Sequence, residues 1–407
     1  MSRKKGNVYK AIARLMTGSV MGQLVFLVSL PVISRLFDAS SLSDYAIVYA
    51  YTNIIGVSLA LKLENLIILD SNNKNTLLPN VLSLSFLLFF LLLTLVIALD
   101  FLSSFRYLCV IITTLISSLF FSIFNTMLNY YNACGNYKTI SYSRFFRPLF
   151  EVLIAFLLYY FNLEYYYSIP LSYMLLCLIL LVKEKKHLNI DCLDIFHLLR
   201  QGRSVVKYDF PTIFLVSLSS YLPLILLPFL FEEYDVALFL LAFRSSVGPI
   251  GIVIQSFGVV IKKELVEANQ VGNMYYCFRW WASKLFFISF SILLIIFFFT
   301  YWRAFEKILG EEWPDIDLMV LCFLPLIVSK VIANPLSYVF YIKDRLDINL
   351  KLQATPLLMV LICSLTTFYL SFSINTFVFL YSMSYFMYYI LYFYVSYRLT
   401  SLEGGRE

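Results

Sequence analysis

About twelve apolar stretches follow one another along this 407-residue chain, each close to the roughly 20 residues that a helix needs to cross a bilayer. They lie near 11–34, 45–68, 78–99, 105–132, 141–162, 165–182, 208–231, 236–261, 282–302, 317–341, 352–372 and 375–397. None alternates polar and apolar residues as a membrane β-barrel does, so helices remain as the way to satisfy the backbone in lipid. The expected fold class is an all-α polytopic membrane protein. With 61% hydrophobic and only 14% charged residues, the chain has too little polar surface to cover a soluble domain.

The charges are consistent with this count. If "MSRKKGNVYK" is cytoplasmic, most of the 31 lysines and arginines fall in the tails and every second loop, including "KEKKH" at 183–187, Arg200, Arg203 and Lys207. The outer loops receive Arg35, Arg106, Arg303 and Lys307. That asymmetry follows the positive-inside rule and favours an even number of spans with both termini inside. The net charge of +6 then needs no nucleic-acid partner.

Several functions are disfavoured. The first span, interrupted by "TGSVMGQ", is too long and too polar for a cleaved leader. The seven cysteines are scattered without a Cys-x-x-Cys pair and read as free thiols. The two histidines, His187 and His197, both sit in one inner loop, which argues against a histidine triad or histidine metal cluster within the membrane. No cofactor is implied beyond a coupling proton or sodium ion.

The loops suggest two bundles of six helices. The longest inner loop carries the amphipathic "CLDIFHLLRQ" and separates an N-terminal bundle (1–183) from a C-terminal one (208–407), with 184–207 as a cytoplasmic linker. "LPVISRLFDASSLSDYAIVYAYTN" at 30–53 echoes "LPLILLPFLFEEYDVALFLLAFR" at 222–244, and in that alignment Asn53 matches Arg244. Chance likeness of two apolar hairpins is the competing explanation. A true repeat would put the two polar residues across a central cavity.

Polar stripes cross some spans. Arg244, Gly248, Gly251, Gln255, Gly258 and Lys262 recur at helical spacing among Phe, Ile, Leu and Val, and Pro249 is expected to kink the helix. A membrane-embedded arginine costs roughly 2.5–3.5 kcal/mol on insertion scales, so Arg244 should face protein or water. Lys330, Asn334, Ser337 and Tyr341 form a second stripe; Arg144, Arg147 and Glu151 share one side of the fifth span; Asn53, Gly56, Ala60 and Glu64 line the second. Each stripe has a plainer reading. Arg147 and Glu151 can be an i,i+4 ion pair at the inner interface, Lys62 can snorkel to the cytoplasmic surface, and small faces serve helix packing. Arg244 and Lys330 have no acidic neighbour at their own depth in sequence, which points to a cationic cavity suited to an anion. Glu64, Glu151 and Asp209 lie towards the inner ends, as charge-balancing groups or as sites for a coupling proton or sodium.

The ordered set "LPVISRLF", "DYAIVYAYTNIIGVSLALKLENLIIL", "YNACGNYKTISYSRFFRPLFEV", "YDFP", "AFRSSVGPIGIVIQSFGVVIKKEL" and "LGEEWPDIDLMVLCFLPLIVSKVIANPLSYVFYIKD" resembles the Wzx-type polysaccharide flippases of the multidrug/oligosaccharidyl-lipid/polysaccharide exporter superfamily. The resemblance covers nearly the whole chain, although "SDYAI" stands where relatives often have a glycine. It implies two six-helix bundles around a cavity that opens alternately to either side. It also implies carriage of undecaprenyl-pyrophosphate-linked O-antigen units from the inner to the outer leaflet of the bacterial cytoplasmic membrane. The partners implied are that lipid-linked oligosaccharide, membrane lipids, a polysaccharide polymerase and a chain-length regulator. By the same resemblance Arg244 would hold the pyrophosphate or an acidic sugar with help from Lys330, and Asn53 and Gln255 would meet sugar hydroxyls. Arg144, Arg147 and Asn334 complete the substrate-binding candidates.

Two other classes stay open. An O-antigen polymerase would share the size and spans but usually carries a large outer loop, and the longest here is roughly "RAFEKILGEEWPDID". A multidrug exporter of the same superfamily would need an apolar or acidic cavity for cationic drugs. The 31 tyrosines and 39 phenylalanines read as an interfacial belt or as stacking surfaces for sugars.

Overall fold

The computed structural model describes residues 2–70, 73–103, 108–185, 194–343 and 345–401; for 2–16, 101–103, 252, 255, 256, 259 and 346 only the backbone is described. Arg106, His187 and Cys192 lie outside these residues. Among the described residues all regular structure is helical, and the chain is a polytopic helical membrane protein.

Nine helices are long and apolar enough to cross a membrane among the described residues. The three remaining expected spans are also helical: α2 (Ala39–Leu59), α6 (Tyr137–Tyr160), and α10 (Glu233–Ala242) continued through a π-turn (Phe243–Val247) into α11 (Gly248–Gln270). Asn53, Arg144, Arg147, Glu151, Arg244 and Gln255 are all on these three. The helices that are not simply lipid-like are the ones carrying most of the polar candidates.

The chain divides into two compact units, one of residues 1–26 and 37–225, the other of 27–36 and 226–407. The first holds most of α1 (Ser2–Leu36), then α2, α3 (Glu64–Leu69), α4 (Lys74–Ser103), α5 (Leu108–Ala133), α6, α7 (Ser168–Lys183), α8 (Ile195–Gln201) and most of α9 (Phe210–Leu230). Its centre is α5, which lies against α2, α4 and α7. The contact face of α5 is rich in Ser and Thr, with Thr113, Thr114, Ser117, Ser118, Ser122 and Thr126 all buried. Small residues let membrane helices approach closely where lipid supplies no hydrophobic drive. Gly56 of α2 belongs to this contact: a Cβ there would strike the Phe121 ring and come within 3.2 Å of the Ser118 carbonyl. Gly18 and Gly22 play the same part where α1 crosses α6, because a Cβ on either would collide with the carbonyl of Ser141 or Arg144.

The second unit holds α10 to α12 (Met274–Tyr301), α13 (Ala304–Leu309), α14 (Ile316–Cys322), α15 (Leu324–Leu336), α16 (Val339–Ile342), α17 (Leu346–Leu370) and α18 (Ile374–Ser401). Here α15 is central, against α11, α12 and α18. The two distinctive turns have clear local causes. After α5, Gly135 takes φ +68°, a conformation that costs glycine nothing, and Asn136 caps α6 by accepting from the Thr139 N–H at 3.3 Å. Before α14, Gly310 takes φ +123° and Trp313 turns inward, only 2% exposed, donating from Nε1 to the Ser34 carbonyl at 3.3 Å and stacking on Tyr234 at 5.3 Å.

Residues 195–201 of the amphipathic segment form α8, packed on α4 within the first unit. Leu198 is buried, and Asn80 Oδ1 accepts from the Asp194 N–H at 3.0 Å.

Candidate functional site

Four sequence-based expectations change once the helices are seen. The second span is not one helix over 45–68: α2 stops at Leu59, and Leu61 and Lys62 take φ of +47° and +62° before α3 begins. Successive left-handed non-glycine residues break helical periodicity. Asn53, Gly56, Ala60 and Glu64 therefore do not share one continuous face, and Gly56 packs on α5. The second change is a partner for Lys62: its Nζ lies 3.0 Å from Glu64, a carboxylate with only 3% of its surface exposed. The third change is at Pro249, where the chain carries a π-turn just before the proline and not a simple kink. A proline lacks the N–H for the preceding turn, and a wider turn accommodates its ring. The fourth concerns the echo between the two hairpins. Both turn on an acidic residue in extended conformation, Asp38 and Glu232, before restarting as helix. Counted from the two helix starts, however, Arg244 is level with Ala50 and not with Asn53.

In the first unit, polar groups of three helices converge on Glu151, which has no exposed surface. Its Oε2 lies 2.9 Å from Arg147 Nη2, and its Oε1 accepts a hydrogen bond from the Tyr45 hydroxyl of α2. The Arg147 guanidinium sits over the Tyr173 ring of α7, 4.6 Å from its centroid. Around Tyr45 the rings of Tyr165 and Tyr49 stack at 4.1 and 6.1 Å, and Tyr49 meets Tyr221 of α9 edge-on at 5.6 Å. Arg147 Nε and Nη2 and Glu151 Oε2 find no hydrogen bond of good geometry, so charge and proximity hold the pair more than directional bonding. Buried pairs of this kind recover little of their desolvation cost when bonding is incomplete.

Other candidates of this unit stand apart from that cluster. Arg144 is exposed and donates to Ser19 of α1 at 3.1 Å. Asn53 is half-buried and spends its Nδ2 on the Tyr49 carbonyl at 2.7 Å. Asp209 is half-buried in a π-turn (Val205–Asp209) at the head of α9. Tyr45, Tyr49 and Tyr173 are the residues that sequence reasoning passed over. Tyr45, Tyr49 and Asn53 recur every four residues, a signal that could have placed them on one face of α2.

In the second unit Arg244 is half-buried within the π-turn. Further along, α11 presents Gly248 and Gly258, and a Cβ on either would meet nothing within 4 Å. Lys262, beyond Gly258, is exposed and lies over the Tyr338 ring at 4.2 Å. The side chain of Gln255 is outside the described residues. On α15, Lys330 is half-buried and makes no ion pair among the described residues. Asn334 is also half-buried one turn on, and its carbonyl accepts the Ser337 hydroxyl at 2.7 Å. Both units thus place cations on helices that are otherwise apolar.

No family model and no curated protein matches the chain. Solved structures do. The chain is similar to the lipid II flippase MurJ in an inward closed conformation, with a TM-score of 0.75 and 14% identity over 96% of this chain and 87% of that one. It is similar to an inward-facing multidrug resistance MATE family transporter of the MOP superfamily, with a TM-score of 0.62 and 16% identity over 97% of this chain and 96% of that one. A MOP superfamily transporter from Pyrococcus furiosus, described as having a binding pocket of reverse polarity, aligns with a TM-score of 0.54 and 14% identity over 97% of this chain and 95% of that one. At such identities the likeness is one of fold: this chain has the fold shared by MurJ and the MATE transporters.

Proposed function

We propose that this chain is a flippase that moves undecaprenyl-pyrophosphate-linked oligosaccharides, O-antigen repeat units or a related polysaccharide unit, from the inner to the outer leaflet of the bacterial cytoplasmic membrane by alternating access. The observation that carries the reading is Lys330: an ammonium half-buried on the central helix of its unit, without an ion pair among the described residues. A membrane protein keeps such a charge at a cost, and its retention marks a substrate path. An anionic head group supplies the missing counter-charge. The fold shared with a lipid II flippase supports the choice of a lipid-linked anion.

In this reading Arg244 and Lys330 hold the pyrophosphate or an acidic sugar, guanidinium being the better match to phosphate oxygens. Asn53, Gln255 and Asn334 meet sugar hydroxyls, and Arg144 adds positive charge near the inner end of α6. Glu151 holds Arg147 while cargo is absent and is the first candidate for a coupling proton; Glu64 and Asp209 are the others. A polysaccharide polymerase and a chain-length regulator would take up the delivered units. A cationic drug, the cargo of a multidrug exporter, would meet repulsion from Lys330.

The test is transport in proteoliposomes loaded with the lipid-linked oligosaccharide, scoring how fast its sugar becomes accessible to an external glycosidase. Wild type should expose it, and Lys330→Met should slow exposure about tenfold, equivalent to about 1.4 kcal/mol. An equal rate for Lys330→Met at equal protein would remove the role assigned to Lys330.

A further inference from the structure

Two helix ends of the second unit combine aromatic rings with cations: "MYYCFRWWASK" opens α12, and "YFYVSYR" at 392–398 lies near the end of α18. The Tyr275 and Tyr397 hydroxyls share a hydrogen bond of 2.8 Å, and the Phe278 ring packs on Phe393 and Tyr397 at 5.5 and 6.1 Å. A cleft of about 260 Å³ lies along this seam, walled by Phe278, Arg279, Ala282, Phe393 and Tyr397. Its one charged wall is Arg279, which is exposed and makes no ion pair among the described residues. The guanidinium rests 5.7 Å from the Tyr275 centroid. The nearby carboxylate of Glu264 is already engaged, accepting from Trp281 Nε1 at 2.8 Å.

We propose that this cleft binds an anionic phospholipid, with Arg279 on the phosphodiester and an acyl chain entering along Phe278, Ala282 and Phe393. The same two helix ends carry two further cations on other faces, Lys284 over Trp280 at 3.3 Å and Arg398 donating through Nε to the Tyr394 hydroxyl at 2.9 Å. Rings and cations together are the composition of the headgroup layer of a membrane. Along the rest of α12, Phe286, Phe287, Phe290, Leu294 and Phe298 are exposed, a surface that hydrocarbon covers. An acyl chain in the cleft continues onto that surface, while the phosphate gives the exposed Arg279 guanidinium, which also meets the Tyr275 hydroxyl, charged oxygen partners. The volume falls just short of the roughly 300–1,000 Å³ of sites for drug-sized ligands. The cleft therefore takes a segment of one chain and leaves the headgroup at the rim. This site stands on the membrane reading alone and does not depend on the cargo proposed above.

The test is thermal unfolding of the full chain in a neutral detergent, with phosphatidylglycerol or phosphatidylcholine of identical acyl chains, since a ligand of the folded state raises the midpoint. Phosphatidylglycerol should raise it more than phosphatidylcholine does. That difference should vanish in Arg279→Gln and persist in Arg303→Gln, a control cation outside the cleft. Ala282→Trp, which fills the cleft but keeps Arg279, should lose the difference too and covers the case in which Arg279→Gln does not fold. Equal shifts from both lipids, or an undiminished difference in either cleft variant, would overturn the site. So would complete displacement of phosphatidylglycerol by a tenfold lower concentration of undecaprenyl pyrophosphate, which would give the cleft to the carried lipid.

Discussion

The Tyr45 hydroxyl donates to Glu151 Oε1 and so ties α2 to α6 at a carboxylate with no exposed surface. Arg147, one turn earlier on α6 and half-buried, meets the other oxygen at 2.9 Å, so a hydroxyl from α2 and an ion pair within α6 meet at this one buried carboxylate. Removing Glu151 as Glu151→Ala leaves Arg147 uncompensated and should cost about 3–5 kcal/mol of stability. Tyr45→Phe removes one donor and should cost about 1–3 kcal/mol. The double change Arg147→Met/Glu151→Leu should regain most of the loss, as apolar replacements of buried pairs do. Unfolding of purified protein in detergent checks the order; a double variant as unstable as Glu151→Ala would show that the charge pair is not the energetic unit.

Gly22 faces the Arg144 carbonyl so closely that any Cβ must push α1 from α6. Gly22→Leu should lower the unfolding midpoint and the yield of monodisperse protein, with an overpacking cost of about 1–3 kcal/mol or more. Gly258, which has open space beside it, should accept alanine with little change. Equal yields of Gly22→Leu and Gly258→Ala in gel filtration would contradict this contact.

Asp235, in the first turn of α10, has its carboxyl pushed above the ordinary aspartate value of 3.8 by burial first, then by the Glu232 and Asp315 carboxylates. The folded state therefore binds its proton more tightly than the unfolded chain does. Stability contributed by this proton is present below the ordinary value and is lost as pH rises through the raised one. Asp235→Asn should raise the unfolding midpoint at pH 7 and leave it nearly unchanged at pH 3. A variant stabilised more at pH 3 than at pH 7 would reverse the sign of this argument.

Cys109 and Cys134 are both exposed, at opposite ends of α5. If both termini are cytoplasmic, as the charge asymmetry leads one to expect, Cys109 lies at the outer surface and Cys134 at the inner one. An impermeant maleimide should label a variant retaining only Cys109 in intact cells whose outer membrane has been permeabilised, and one retaining only Cys134 after the inner membrane is opened as well. The opposite pattern would invert the topology.

The helical fold was legible because apolar run length answers directly to bilayer thickness. What the sequence hid were interruptions and partners from distant helices. Hydropathy is blind to the left-handed Leu61 and Lys62, so α2 and α3 read as one span. The Arg147 and Glu151 pair could be read from its spacing of four. Tyr45 and Tyr173, which complete its surroundings, come from α2 and α7, and no local pattern joins them. "TGSVMGQ" read as polar interruption, whereas its two glycines serve the crossing of α1 and α6. At Arg244 the surroundings were legible as small residues, but the π-turn that sets its direction was not.

Lipopolysaccharide from cells with this gene cleanly deleted, run beside wild type and a complemented strain, tests the flippase reading most directly. The account predicts core without a single O-antigen repeat unit, because units never reach the outer leaflet, and recovery of the full ladder on complementation. Core carrying one repeat unit would contradict it, since units would then be crossing the membrane without being joined, as when a polymerase is missing.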